Sequence, residues 1–344
     1  MRHFIGLDAH SATFTLAAVN RNNEVVFHRK LATSGRNLIC AVGELEGPKG
    51  LTTEEGTLAQ WIKMTLEPYV EELEVCDPRV NGWIADAEYN DDLESAVKLA
   101  RLYRGGYTKA IPHPHREGAR LRRLFLHYYD LNREIVRYKN KIKATFRQRG
   151  IRARGRAVYS PEERSRWLER LTGHPSLRAQ ASDQLQTLDT LEEQKQKTYR
   201  RMVRRARNLD RAGFEAIKSI PGAGGVITSG YMAMIVTPHR FSRVNKLWKY
   251  AGFGNIKRSS GGHSQKDQAA DSGNRVLKWV TAQHFTHAVK ASAGRGASNR
   301  FTRCYMKQLT EGKDDSIATR TVCRKLLSVV RAVWRDKEPY RDDA

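Results

Sequence analysis

The chain has 344 residues, enough for two or three domains, and carries 61 lysines and arginines against 37 aspartates and glutamates. The formal net charge of +24 predicts a polyanion as partner. No apolar run reaches membrane-spanning length and no secretory segment is recognisable, so we expect a soluble cytoplasmic protein with no membrane partner. The four cysteines stand far apart without a Cys-x-x-Cys pair, which argues against a zinc finger and a disulfide framework.

The first 107 residues predict an α/β domain. Three successive short apolar runs, at 3–8, 14–19 and 24–28, indicate a meander of strands. Strand and helix patterns then alternate: strands are expected at 50–53 and 74–76, and helices at 38–45, 58–69 and 91–103. This alternation is typical of an α/β sheet, which we assign to residues 1–107.

The region 108–212 is basic and helical. Residues 101–175 hold 20 basic and 6 acidic residues, a balance of +14, whereas residues 1–100 have a balance of −7. Apolar residues recur at helical spacing over 120–149 and 176–209, with a Gly- and Arg-rich loop or hinge between them. The second helix is long enough for a coiled-coil-like arm that dimerises or spans domains, and a monomeric helical hairpin is the alternative.

The last region, 213–344, is predicted to be mainly helical, with further helix over 276–335. Its segment Ser219-Ile220-Pro221-Gly222-Ala223-Gly224 resembles the turn of a helix-hairpin-helix, which grips nucleic-acid backbones. The amides of such a turn and of the following helix N-terminus can bind phosphate. An ordinary helix–helix turn is the alternative.

Three acids occupy positions suited to metal-assisted phosphoryl transfer. Asp8 follows the first strand, Glu54 ends a later strand, and Asp92 opens a helix. Two divalent metals need several carboxylates that converge from separate elements. RNase H-like folds provide an aspartate on the first strand, an acid on the fourth and acids on a late helix. The same order in this chain predicts such a site, although each acid alone fits a solvated strand end.

A second candidate catalytic segment is Lys257-Arg258-Ser259-Ser260-Gly261-Gly262. Glycines let a backbone approach a bulky anion, and the basic side chains can neutralise phosphates. A serine in this setting could attack a phosphodiester. A flexible basic surface loop is the other interpretation of the segment.

Taken together, these residues resemble the IS110 insertion-sequence transposase family. Each motif alone is weakly specific for the family, but the order and spacing of the motifs over nearly the whole chain are specific. They are residues 5–8, 54–61, Asp92 with 96–102, 219–224, 240–241, 250–253, 260–261, 273–275 and 324–327.

The resemblance implies a RuvC-like DEDD domain in front, a serine transposase domain behind, and a mechanism that joins them. Asp8, Glu54 and Asp92 would hold Mg²⁺, with Mn²⁺ as a substitute, while Ser260 attacks the phosphodiester. The attack leaves a phosphoserine link and a free 3′ hydroxyl, and strand exchange follows. A non-coding bridge RNA would pair with donor and target DNA, and the protein would associate with the bacterial nucleoid.

The chain departs from the family pattern at the fourth acid. The family places an aspartate three residues after the third acid, where Ser95 stands here. Pairing Asp91 with Glu94 restores two acids but breaks the spacing to the following motif. We prefer Asp92 with Ser95, which leaves one metal ligand weak or water-mediated. Glu55 beside Glu54 and Ser259 beside Ser260 are similar ambiguities.

Nucleic acid is expected to contact basic residues of the middle helix, the glycine turn and the serine loop. These residues are Arg120, Arg122, Arg123, Lys139, Lys141, Lys143, Arg147, Gly222, Gly224, Lys257, Arg258 and Arg275. Because the carboxylates and the serine lie on separate domains, their site must be composite, and we expect a homodimer or homotetramer. Two other functions stay open: a DNA invertase that acts at fixed sites without a guide, and an inactive nucleic-acid-binding regulator, which Ser95 favours.

Overall fold

The computed structural model describes residues 2–78, 91–256, 259–260, 263–264, 268–269, 273–290 and 298–342. The contacts between residues divide the chain into two compact units, residues 1–119 and residues 120–344. No helix in the described part of the chain is long and apolar enough to cross a membrane. The expected division at residues 107 and 212 stays a prediction.

The first unit contains a five-stranded sheet in the order β3-β2-β1-β4-β5. The strands are β1 His3–Ala9, β2 Thr13–Val19, β3 Val25–Ala32, β4 Lys49–Glu54 and β5 Glu72–Cys76. β2 is antiparallel to both of its neighbours, whereas β4 is parallel to β1 and to β5. The carboxyl ends of β1, β4 and β5 therefore lie at one edge of the sheet. The predicted meander and the later strands are present.

Helices cover both faces of this sheet. The helices are α1 Gly35–Gly43, α2 Ala59–Leu66 and α3 Asp92–Arg104, with a short 3₁₀ turn at Glu67–Tyr69. The buried side chains of β1, β2 and β4 form one apolar core with those of α1 and α2. On the opposite face α3 packs directly on Gly6, where a Cβ atom would lie only 2.1 Å from the carbonyl oxygen of Ala96. Only glycine permits this approach, which brings the start of α3 near the end of β1.

The second unit is mostly helical. Its helices, with α4 beginning just before the boundary, are α4 Arg116–Arg147, α5 Arg164–Glu169, α6 Pro175–Leu209, α7 Arg211–Lys218, α8 Gly225–Ile235, α9 Val244–Tyr250, α10 Arg275–Phe285, α11 Arg300–Thr310 and α12 Asp315–Asp336. Shorter elements are a 3₁₀ turn at Ala157–Tyr159, a π turn at Thr286–Lys290, and strands β6 Asn255–Ile256, β7 Ser259–Ser260, β8 His263–Ser264 and β9 Gln268–Ala269.

The two long helices bury their apolar stripes against each other within the chain. Ile135, Ile142 and Phe146 of α4 share one core with Leu185 and Leu188 of α6. This packing is the helical hairpin that the sequence left open beside a dimerising arm. Part of the expected loop between the helices contributes to the same core and forms the short helix α5.

The main core of the second unit surrounds α8, which is buried from Ile227 to Ile235. In the described part of 276–335, the expected helix is present as α10, α11 and α12. Asn299 caps α11 by accepting hydrogen bonds from the amides of Phe301 and Thr302, at 2.9 and 3.0 Å. Gly312 follows α11 with a φ of 75°, a conformation that ends a helix and favours glycine.

Candidate active site

The pairing of β1, β2 and β3 places three polar side chains in one row across the sheet. Asp8 pairs with Thr15, and Thr15 pairs with Lys30. Directly paired residues project from the same face, so this row lies on the face that α3 covers. Thr15 is 3% exposed and its hydroxyl has no hydrogen-bond partner. A buried hydroxyl without a hydrogen-bond partner is uncommon in folded proteins, which makes this row an unusual part of the sheet.

Two of the predicted acids converge here with a histidine. The Nε2 atom of His10 lies 3.3 Å from Oδ2 of Asp8 and 3.5 Å from Oδ1 of Asp92. One ligand atom from each of these three residues lies within 4.8 Å of the other two. Asp8 and Asp92 are partly exposed, with side-chain exposures of 23% and 32%. Two carboxylates and an imidazole in open contact with solvent form a donor set that can hold a divalent cation.

Lys30 is the cation beside this cluster. Its Nζ atom donates a hydrogen bond of 2.8 Å to Oδ2 of Asp92. This bond holds the pKa of Asp92 below its usual value and raises the pKa of Lys30. A metal ion that took both carboxylates would compete with Lys30 for Asp92.

Glu54 ends the strand next to Asp8. The parallel pairing of β1 with β4 joins Leu7 to Thr53, so the residues that follow, Asp8 and Glu54, stand side by side and project from the same face. The three-residue cluster does not include the Glu54 carboxylate. Glu55 is engaged elsewhere, since its Oε2 atom lies 2.5 Å from Nε2 of His113. This geometry favours Glu54 over Glu55 as the site acid.

Ser95 lies one turn after Asp92 on α3. Its amide donates to the carbonyl oxygen of Asp91 at 3.0 Å. Residues three apart lie on the same side of a helix, so Ser95 lies on the same side of α3 as Asp92, one turn further along. Asp91 is the N-cap residue of α3, but its side chain makes no capping hydrogen bond.

The backbone of the predicted serine nucleophile forms part of a small hairpin. Ser259 pairs with Ser264 and Ser260 with His263. Lys257 and Arg258 lie outside the described residues. Arg275 is the first residue of α10, whose N-cap Asn274 accepts a hydrogen bond of 2.9 Å from the amide of Leu277.

The predicted glycine turn connects α7 to α8. Gly222 has a φ of 82°, and a Cβ atom there would lie 2.5 Å from the amide nitrogen of Ala288. Gly224 is the N-cap residue of α8 and offers no side chain to its first amides. The turn thus requires glycine at 222 and leaves the amides at the start of α8 uncapped.

A buried histidine holds this turn in place. The Nε2–H group of His284 donates to the carbonyl oxygen of Pro221 at 3.0 Å, and Nδ1 accepts from the hydroxyl of Tyr231 at 3.0 Å. The neutral imidazole satisfies both bonds, with one ring nitrogen as donor and the other as acceptor. Burial lowers the pKa of His284 to about 4, although the bond to Pro221 acts in the opposite direction.

We expect the second unit to lose stability as the pH falls from 6.5 towards 4. The unfolded chain takes up a proton on His284 below its usual pKa of 6.5, and the folded chain does so only near 4. The stabilisation is complete above pH 6.5 and decreases by up to about 1.4 kcal/mol per pH unit, about 3 kcal/mol in all. Urea unfolding at several pH values should show a shallower pH dependence for His284→Gln. His127→Gln, at an exposed position on α4, is the control; equal slopes for all three proteins would contradict this role.

The predicted basic contacts on α4 differ in their surroundings. Arg123, Lys141 and Arg147 are exposed. Lys139 pairs with Glu192 at 2.7 Å, and both Lys139 and Lys143 lie over the ring of Tyr159 at 5.5 Å. Arg120, Arg122, Arg123 and Arg147 lie in this order along α4. The helix therefore presents a basic surface, with part of its charge already paired.

Comparison with known proteins concerns mainly the second unit. Residues 214–301 match the sequence model of the family described as "Transposase IS116/IS110/IS902 family". Over these residues the chain is similar to the transposases of this family. The insertion element IS116 uncharacterized 44.8 kDa protein of Streptomyces clavuligerus is 28% identical over 134 residues, which cover 39% of this chain and 32% of that relative. The aligned part therefore spans about a third of the relative.

The matched residues include the glycine turn, the strand with Ser260, Arg275 and His284. The cluster of Asp8, His10 and Asp92 lies outside the matched residues.

The sequence did not reveal His10, Lys30 or His284 as functional residues. His10 is the residue directly after the first strand, where a histidine also fits a solvated strand end. Lys30 reaches the site only through the pairing of three strands, which no local pattern specifies. His284 reads as one more position on the buried face of a helix.

Proposed function

We propose that the protein is a transposase that cuts and rejoins DNA with a serine nucleophile and metal-binding carboxylates. The observation that carries the proposal is the convergence of Asp8 and Asp92, beside Glu54, in a chain that also matches a transposase family over residues 214–301. The acids lie on the first strand, on the fourth strand and on the helix after the fifth. This order supports a RuvC-like domain of the RNase H type.

The donor atoms fit a hard divalent cation. Asp8, Asp92 and Glu54 offer carboxylate oxygens, which Mg²⁺ and Mn²⁺ prefer, and His10 offers an imidazole, which Mn²⁺ accepts. When bound, the metal would polarise the phosphate and stabilise the charge that develops on it. The chain's own groups would orient that cation, and Lys30 would leave Asp92 to pair with the DNA. His10 would contribute near the position that Ser95 leaves without a carboxylate.

We expect His10→Ala to weaken Mn²⁺ binding by about tenfold or more, since loss of even an outer-shell partner costs about 10–100-fold. Ser95→Asp should strengthen Mg²⁺ binding because it adds an oxygen ligand, and it should not reduce activity. Isothermal titration calorimetry on the intact protein measures both. His28→Ala, at an exposed position on β3, is the matched control. Unchanged Mn²⁺ affinity in His10→Ala would remove His10 from the site.

The proposed reaction is a transesterification at serine. The Oγ atom of Ser260 forms a bond to phosphorus, the bond from phosphorus to the 3′ oxygen breaks, and that oxygen takes up a proton while the serine releases one. A 3′ hydroxyl from another strand then attacks the phosphoserine, which restores Ser260 and completes the exchange. Arg275, with Lys257 and Arg258, would stabilise the charge on the phosphate.

A guide RNA and both DNA partners would bind the basic surface of α4. We expect binding of duplex DNA to weaken steeply with salt, by about 0.9 in log–log slope for each neutralised phosphate. Arg123→Ala with Arg147→Ala should lower that slope by about 2, whereas Arg29→Ala, which breaks a pair with Glu44 in the first unit, should leave it unchanged. Fluorescence anisotropy between 50 and about 300 mM salt measures the slopes. A salt-independent affinity would contradict this interface.

Activity of the purified protein on DNA, with and without its copurified RNA, tests the proposal against its two alternatives. Strand cleavage that needs the RNA supports a guided transposase, and sequencing that RNA identifies the guide. Cleavage at fixed sites without RNA would indicate a DNA invertase. Nucleic-acid binding without any cleavage would indicate an inactive regulator. The expected dimer or tetramer stays a prediction, which light scattering on the DNA complex can check.

A further inference from the structure

The second unit contains a cavity of about 830 Å³ where the glycine turn meets helices α4, α6 and α10. Its lining includes Gly222, Gly224 and Val226 of the turn and of α8, together with the aromatic residues Tyr199 and Trp279. The volume lies within the range of pockets that enclose small ligands, about 300–1,000 Å³. Among the described residues, the lining includes no member of the carboxylate cluster.

The turn side of the cavity favours an anion. The first amides of α8 have no side-chain cap, and at Gly224 no atom lies within 4 Å of the position that a Cβ would occupy. Lys218, an exposed residue on the rim, adds positive charge. Uncapped amides at the start of an 11-residue helix carry partial positive charge towards the cavity.

Trp279 adds a flat aromatic group to the lining. It contacts Tyr129 in a T-shaped arrangement, at a ring separation of 5.1 Å and an angle of 72°. Trp279 is only partly buried, so part of its ring contacts the cavity. Asn132 and Gln283 add polar groups to the same lining. A partly exposed indole ring with side-chain amides beside it suits the stacking and hydrogen bonding of a nucleobase.

A second cavity of about 650 Å³ continues along α4 and shares Asn132 and Trp279 with the first. Arg133, Arg137 and Lys141 line it, although Arg137 also pairs with Glu134 at 2.6 Å. No aspartate or glutamate lines either cavity among the described residues. A groove with cations, partly exposed aromatic rings and no acids among its described lining is complementary to a nucleic-acid strand.

We propose that the two cavities bind single-stranded DNA, with one unpaired base stacked on Trp279 and its phosphate at the amides of Gly225 and Val226. The phosphates that follow would lie along Arg133, Arg137 and Lys141. This inference rests on the proposed function, since a strand-exchanging enzyme must hold DNA that has left its duplex. Most of the first cavity's lining lies within residues 214–301, which match the transposase family, and this favours DNA over RNA as the occupant. A base within an intact duplex is stacked on its neighbours and cannot enter.

Fluorescence anisotropy with a labelled 20-nucleotide thymine strand tests the inference on the intact protein. Trp279→Ala should weaken binding of this strand by about tenfold to a hundredfold, as expected for the loss of one base–aromatic stack. The affinity for a 20-base-pair duplex should change less than about twofold. Trp279→Phe should restore most of the loss. Trp61→Ala, at a 38% exposed tryptophan of the first unit, is the control and should alter neither affinity.

A strand of abasic residues separates stacking from charge. The wild-type protein should bind it about as weakly as Trp279→Ala binds thymine, and Trp279→Ala should cause no further loss on it. Equal losses on single strand and duplex, or no loss on either, would overturn the inference while leaving the salt-dependent duplex binding of the proposed function in place. Loss on a matching RNA strand but not on DNA would also overturn it. Absence of any nucleic-acid binding by the wild-type protein would refute the proposed function itself.

Discussion

Asp8→Asn should lower DNA cleavage by about a thousandfold or more while leaving the fold intact. Asp8 is the acid of β1 in the cluster, and its replacement removes a charged metal ligand without changing the side-chain volume. A bound metal supplies several kcal/mol to phosphoryl transfer, and each 1.36 kcal/mol is a factor of ten in rate. Cleavage of labelled DNA in Mg²⁺ measures the effect, and circular dichroism checks the fold.

Asp91→Asn is the matched control for this experiment. Asp91 is the exposed neighbour of Asp92, and its side chain makes no capping bond. Its replacement should change the rate little if Asp92 is the third acid. A large loss of cleavage rate in Asp91→Asn would instead favour Asp91 and Glu94 as the site acids. Full activity of the wild-type protein in excess EDTA would contradict any metal role.

Ser260→Ala should abolish the covalent protein–DNA adduct, lowering its yield by about a thousandfold or more. Alanine has no oxygen to bond to phosphorus, and no other group can replace a missing nucleophile at its position. Binding of RNA and DNA should persist, since charges and aromatic rings provide it. Electrophoresis under denaturing conditions, on a nicked DNA that traps the intermediate, measures the yield.

Ser259→Ala is the control for the nucleophile. Ser259 lies beside Ser260 in the same two-residue strand, so its replacement removes a neighbouring hydroxyl from the same strand. We expect a small effect from Ser259→Ala. An adduct that persists in Ser260→Ala and disappears in Ser259→Ala would assign the chemistry to the neighbouring residue.

Local patterns predicted the elements that carry the site. The helix expected over 120–149 is Arg116–Arg147, because its apolar residues recur at helical spacing without interruption. Asp8 and Asp92 were expected to converge, and their carboxylates both contact His10. The strand ends and the helix start gave that expectation, since acids there share one edge of a sheet.

Local sequence patterns could not predict the contacts between residues that are far apart in the chain. Lys30 reaches Asp92 across 62 positions through the row Asp8, Thr15 and Lys30, which exists only once the strands pair. His284 supports the glycine turn across 63 positions. Both contacts depend on tertiary packing, and the sequence around Lys30 and His284 has no pattern that indicates them. The acids of the site were therefore easier to predict than the residues that contact and position them.

The most direct test of the central claim is to map the covalent adduct that the wild-type protein forms with nicked DNA. The protein is incubated with the DNA in Mg²⁺ and in EDTA, digested, and analysed by mass spectrometry for a peptide that carries a nucleotide. We predict a modified peptide with the phosphate on Ser260 in Mg²⁺, and none in EDTA or in Asp8→Asn. Recombination without any adduct, or a phosphate on a residue other than Ser260, would contradict the account.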